Sequence, residues 1–437
     1  LRGVVFGIFM SVSDHEKIRI LDRWDVCRHC LPSGLKVLLL EDRSTPLISY
    51  HTWFGAGSRH EREGKTGLAH LFEHLMFEST MRHPSGSFDR EMERFGAETN
   101  AATWLDWTYY HETFPPEALE LVLDFEPDRM TNVILDEKVL DREKSVVMNE
   151  RKYRVDDRVE GIMEEVLYKT AFTVHPYRNP TIGWMEDIRG FTLEDCTGFY
   201  RTYYSPGNAV VVAAGSFDHD EMVRAIEEKY AAIPSQEIPP EAPFDEPPQE
   251  TERRVALARE VSAPKVAVGY HAPELSHADN AALSILSVIL CGGDTGRLVR
   301  RFVHEEEAAS DVSSWVGSFR LPALMEFHVD LREGRDLDEA TRILDEELEK
   351  LLSAGVTQEE LATAKNRVLL GFYDGFSGVG GRASALGFYE TVLGDCGAIT
   401  RRLFDLKKVT AQDVLEASRR TIEPRRRTIV TVVPVKR

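Results

Sequence analysis

Leu68-Ala69-His70-Leu71-Phe72-Glu73-His74-Leu75-Met76 sets two histidines and a glutamate among apolar residues that recur every three or four positions. That spacing predicts a helix over 66–77. At about 100° per residue, His70 and His74 stand one turn apart and about 40° from each other, so both imidazoles reach one ion. Glu73 lies about 60° to one side, within reach of a water held on that ion. The pattern is HxxEH, the reverse of HExxH. Zinc would lower the pKa of such a water towards about 7, and an adjacent glutamate could take its proton and return it to a leaving amine.

A catalytic zinc also needs a third protein ligand and an open position. The polar, helix-favouring stretch 136–152 carries Glu143 and Glu150, seven residues apart. Two helical turns bring them to one face, so Glu150 could bind the metal while Glu143 steadies a ligand histidine. Without the HxxEH pattern the same two glutamates would read as a solvated helix face.

A stretch rich in Pro and Glu, 233–248, sustains neither a helix nor an interior strand and reads as an extended linker. It divides the chain into 1–232 and 251–437, with 233–250 between them. Each half opens with strand-like runs, 35–40 and 47–54 in the first, 254–257 and 266–270 in the second. Each then turns helical, over 66–77 and 279–290, and each has a late β-rich run, 209–214 and 428–433. The order hints at duplication and predicts an α+β fold twice over. The helix at 279–290 has no His or Glu, so only the first half can hold a metal.

His70-Leu71-Phe72-Glu73-His74 followed by Glu150 resembles the inverzincin family of pitrilysin-type metallopeptidases. Other stretches carry the likeness: 55–61, 100–103, 175–183 and 203–208, with weaker matches at 355–361 and 409–414. The chain looks like the zinc-bearing subunits of small two-subunit bacterial members and of mitochondrial processing peptidase. The resemblance implies two homologous α/β-sandwich domains in a clamshell around a chamber, with one zinc on the N-terminal domain. It implies Glu73 as base, His70, His74 and Glu150 as ligands, and Glu143 as the acid behind a ligand. Asn100 and Ala101 would lie beside an edge strand to which a peptide substrate adds.

One departure stands out. Active members of the family carry an Arg and, seven residues on, a Tyr in the C-terminal half, which hold the substrate carbonyl. Those positions fall here at Val303 and Ser310, and no Tyr occurs between Tyr270 and Tyr373. The leading reading is therefore a zinc endopeptidase whose Arg/Tyr pair comes from a homologous partner subunit. Arg297, Arg300 and Arg301 are the alternatives within this chain. Two further readings are a non-catalytic scaffold subunit, against which the intact ligand set argues, and a processing peptidase for basic targeting sequences.

Composition narrows the rest. The 437 residues suffice for more than one core, and 42% apolar with 29% charged is usual for a folded soluble chain. A net charge of −20 disfavours nucleic acid and favours cationic partners or mere solubility. No apolar run reaches the length of a membrane span, and the short apolar segment 4–10 makes a poor secretory signal; the first nine residues read as a mis-called start or remnant. Five cysteines fit a reducing compartment, so the cytoplasm is expected, with the periplasm as the alternative. The pair Cys27 and Cys30 forms a CxxC without the second ligand pair or βαβ setting that would give it a role.

Overall fold

The computed structural model describes residues 15–241 and 243–435, so the apolar segment 4–10 lies outside the described residues. Two sheets organise the chain. The first contains β1 (Glu16–Ile20), β2 (Trp24–Cys30), β3 (Lys36–Glu41), β4 (Ile48–Phe54), β5 (Glu98–Thr103), β6 (Thr108–Phe114) and β7 (Ala209–Gly215), in the order β1-β2-β3-β7-β4-β6-β5. The second contains β8 (Arg253–Arg259), β9 (Lys265–Ala272), β10 (Ala309–Val316), β11 (Ala323–Leu331) and β12 (Arg427–Pro434), in the order β10-β11-β9-β12-β8.

The two sheets share one wiring. In each, an early strand pairs parallel with the last strand of its half, β3 with β7 and β8 with β12. The last strand then pairs antiparallel with the next early strand, β7 with β4 and β12 with β9, and two more antiparallel strands complete the run. The order of elements that suggested duplication thus corresponds to a repeated topology, to which the first half adds the hairpin β1-β2. Every residue of β4 and of β7 is buried, as expected for strands covered on both faces.

The covering layers cross between halves. Helix Val379–Leu393, late in the sequence, lies on β4 and β7 of the first sheet, where Leu386 and Ala383 pack with Trp53, Val210 and Val212. It comes so close that a Cβ on Gly387 would stand 2.0 Å from Trp53 Nε1. In exchange, helix Val159–Ala171 of the first half packs its Met163 and Leu167 on Ala267, Leu324, Val430 and Val432 of the second sheet. The described residues of segment 233–250 carry no helix or strand. It is nonetheless pinned: Glu246 accepts hydrogen bonds from the backbone N–H groups of Thr173, Val174 and His175 at 2.7 to 2.8 Å.

The CxxC lies on β2, where side chains alternate between faces, so Cys27 and Cys30 point to opposite sides and cannot close on one ion or one another. Among the described residues no helix is long and apolar enough to cross a membrane.

Candidate metal centre

The predicted helix at 66–77 is Leu68–Leu75, packed against β5, β6 and helix Glu137–Arg151. Its start is fixed by polar groups from the preceding loop and from residues 184–187. Glu61 accepts from the N–H groups of Gly67 and Ala69, both at 2.7 Å, filling the donor shortage of a helix N-terminus. The Thr66 hydroxyl donates to Asp187 Oδ2 at 2.7 Å and accepts from the Trp184 N–H at 2.9 Å. Midway along the helix, Tyr110 donates to the Phe72 carbonyl at 3.0 Å, while the Phe72 ring stacks with Phe199 and Tyr200. The apolar face thus locks the helix, and the opposite face carries His70, Glu73 and His74.

Helix Glu137–Arg151, capped by Asp136, supplies Glu143 and Glu150. Nε2 of His70 lies 3.5 Å and Nε2 of His74 3.3 Å from Glu150 Oε2. Ligand atoms of these three residues all lie within 4.8 Å of one another, the one such grouping of three His, Cys, Asp or Glu among the described residues. Two ligands bound tetrahedrally at about 2.0–2.1 Å stand about 3.3 Å apart, so Glu150 Oε2 lies near the spacing of a shared zinc from each imidazole. Glu143 Oε2 is 3.7 Å from His74 Nδ1, on the far side of that ring. Immediately after Glu150 the helix widens into a π turn, Lys152–Asp156, and Arg154 Nε returns to Glu150 Oε1 at 2.9 Å.

Electrostatics separate the roles. Burial pushes the His70 imidazole down to about 4, so it is neutral and free to bind a metal. Burial also disfavours a charged His74, but hydrogen bonds to Glu143 and Glu150 outweigh it and hold that ring up to about 9. The same bonds to His74 lead in lowering both glutamates, so this end of the site favours a cation. Glu73 differs: burial pushes its carboxyl up, against a hydrogen bond to Thr103. It is the half-buried carboxyl best suited to accept a proton.

His70 opens onto a cavity of about 300 Å³ shared by both halves, lined by Thr103, Trp104, Arg154 and Glu164 from the first and Trp315 and Phe319 from the second. A larger space, about 1050 Å³, lies under the linker beside Arg59, Tyr203 and Phe244, but none of His70, Glu73, His74 and Glu150 lines it. The smaller cavity is the one joined to the chemistry. Asn100 and Ala101 lie on β5, which pairs with β6 alone among the described strands and so presents a free edge. Sequence reasoning missed Arg154, Trp104, Trp315 and Phe319. An exposed Trp315 on the polar face of β10 was the signal that could have found the aromatic wall.

Val303 packs against the second core, and the Ser310 hydroxyl donates to the Asp330 carbonyl at 3.2 Å. The three arginines near them are occupied: Arg297 bonds Glu360 at 2.6 and 2.8 Å, Arg300 pairs with Glu305 at 3.1 Å, and Arg301 with Glu306 and Glu346 at 2.9 and 2.6 Å.

The model of the insulinase family (peptidase family M16) matches residues 36–184, and that of the peptidase M16 inactive domain matches 190–368. A zinc protease of Helicobacter pylori is 31% identical over 348 residues, 77% of this chain and 76% of that one. An uncharacterized zinc protease of Mycobacterium leprae is 29% identical over 398 residues, 89% of this chain and 87% of that one. Among solved structures, a protease from Helicobacter pylori superposes with a TM-score of 0.89 at 26% identity, covering 96% of this chain and 99% of that one.

Proposed function

Since this chain belongs to peptidase family M16, the insulinase family, we propose that it is a zinc endopeptidase acting on extended peptides, with His70, His74 and Glu150 as ligands and Glu73 as general base. The observation that carries the reading is the convergence of two imidazoles and one carboxylate from two helices on a point that Glu73 flanks. Zinc, when bound, supplies Lewis acidity towards the attacking water and the scissile carbonyl. Glu73, whose carboxyl burial pushes above its ordinary range, takes up the proton and gives it to the leaving amine. Glu143 orients His74 through the ring nitrogen away from the metal. The free edge of β5, with Asn100 and Ala101, offers backbone groups to an extended substrate.

The carbonyl of the substrate still needs donors where negative charge develops, and neither Val303 nor Ser310 supplies them. A homologous subunit bringing an Arg/Tyr pair completes the site. The occupied state of Arg297, Arg300 and Arg301 supports this reading over a donor in the same chain. The test is peptide hydrolysis with zinc analysis in wild type and Glu73→Gln: turnover that survives the substitution would remove Glu73 from its role.

A further inference from the structure

At the outer end of the first sheet, three histidines meet on the face turned towards helix His219–Tyr230. His29 comes from β2, His15 from the residue before β1, and His219 from the first position of the helix. Nε2 of His29 lies 3.1 Å from Nε2 of His219. The three ring centres are 5.2, 5.3 and 5.6 Å apart. Imidazoles sharing one tetrahedral ion at about 2.0–2.1 Å have nitrogens about 3.3 Å and ring centres about 5 Å apart. His70 and His74, in the candidate peptidase centre, have ring centres 5.0 Å apart. The His29–His219 pair thus has the spacing of a metal-binding pair, with the His15 ring beside both.

The surroundings prepare these rings as ligands. Asp220 Oδ1 lies 3.0 Å from His219 Nδ1, which places the proton there and leaves the Nε2 lone pair facing His29. His15 Nδ1 is buried with no hydrogen-bond partner. Burial, helped by the two neighbouring rings, pushes His29 down to about 4, so it is uncharged at neutral pH. Strand alternation puts Cys27 and Glu41 on the same face as His29.

We propose that His15, His29 and His219 form a second metal site, selective for imidazole-seeking dications such as Zn²⁺, Ni²⁺ or Cu²⁺, which clamps the start of the first sheet to the helix at His219. A rotation of the His15 side chain completes the set, since its nitrogens do not now converge with the other two. The simpler account of the cluster, one imidazole hydrogen-bonded to another, predicts no metal and is an outcome of the test.

Untagged full-length protein is stripped with chelator and titrated with Ni²⁺ and Zn²⁺ in a His70→Ala, His74→Ala background, so that loss of the peptidase centre and loss of this site are read separately. About one equivalent should bind, with a rise in Tm. Adding His219→Ala should weaken binding by about 10- to 100-fold and abolish the Tm rise, with the metal-free Tm and circular dichroism showing that the variant folds. No binding in the background protein, or binding after His219→Ala and after His29→Ala that equals the background protein's, would overturn the proposal.

Discussion

Gly183 crosses Gly67 so closely that a Cβ on Gly183 would stand 2.6 Å from the Gly67 Cα and 2.3 Å from the Thr66 carbonyl oxygen. Both glycines have left-handed backbones, with φ of 85° and 95°. Gly67 is the residue at which the metal-site helix begins, so this crossing sets the height of His70 and His74. Gly183→Ala is expected to cost roughly 1–3 kcal/mol from overpacking and about 1–2 more from the left-handed φ. Zinc affinity should fall with stability. Denaturant unfolding with metal titration checks this, and unchanged zinc affinity would show that the crossing does not position the helix.

Glu73→Gln should retain zinc and lose peptide hydrolysis by about 10²- to 10⁴-fold, because the amide cannot accept a proton while the three ligands are untouched. His70→Ala with His74→Ala should instead lose the metal at the peptidase centre. Elemental analysis beside single-turnover assays separates the two; equal zinc content in both variants at this centre would mean that the ligands are misassigned.

Glu143 Oε2 lies 3.7 Å from His74 Nδ1 and its Oε1 accepts from Arg142 Nε at 3.0 Å, so on the proposed reading it acts through His74. Glu143→Gln is expected to weaken zinc binding by about 10- to 100-fold while saturating zinc restores most turnover. A loss of turnover that zinc cannot rescue would give Glu143 a direct part in the reaction.

This chain alone should be nearly inactive, and mixing it with a homologous subunit that carries the Arg/Tyr pair should raise turnover by about 100- to 1000-fold. Within the chain, Ser310 stands well up β10 from Trp315, about 16 Å at about 3.3 Å per residue, and Trp315 is the part of that strand that lines the cavity at His70. Peptide hydrolysis by each chain and by the mixture decides it. Full turnover by this chain as a monomer or homodimer would sink the idea.

Acid should loosen the second half through Glu360. The Arg297 guanidinium, followed by bonds from Thr357, holds its carboxyl down to about 2 from an ordinary 4.5. A depressed carboxylate contributes stability that is fully present above the unfolded value and is lost as pH falls from about 4.5 through about 2. Glu360→Gln should lower stability at neutral pH and flatten its fall over that window. Urea unfolding from pH 6 to pH 2.5 reads the slope, and parallel curves for wild type and variant would dismiss the pair as a source of acid sensitivity.

Local pattern was enough for much of this molecule. Helical periodicity put His70, Glu73 and His74 on one helix, observed as Leu68–Leu75, and a seven-residue interval paired Glu143 with Glu150 on another, Glu137–Arg151. Apolar and β-branched runs marked β3, β4, β7, β9 and β12, because buried strands need apolar side chains on both faces. Such signals depend only on neighbours along the chain. What covers those strands does not: the exchange of helices Val159–Ala171 and Val379–Leu393 between the halves rests on close fits such as Gly387 against Trp53, which leave no periodic trace. The return of Arg154 to Glu150, the aromatic wall of Trp104, Trp315 and Phe319, and the meeting of His15, His29 and His219 are likewise tertiary. Their residues are remote in sequence, and only packing of the sheets and helices brings their side chains within reach.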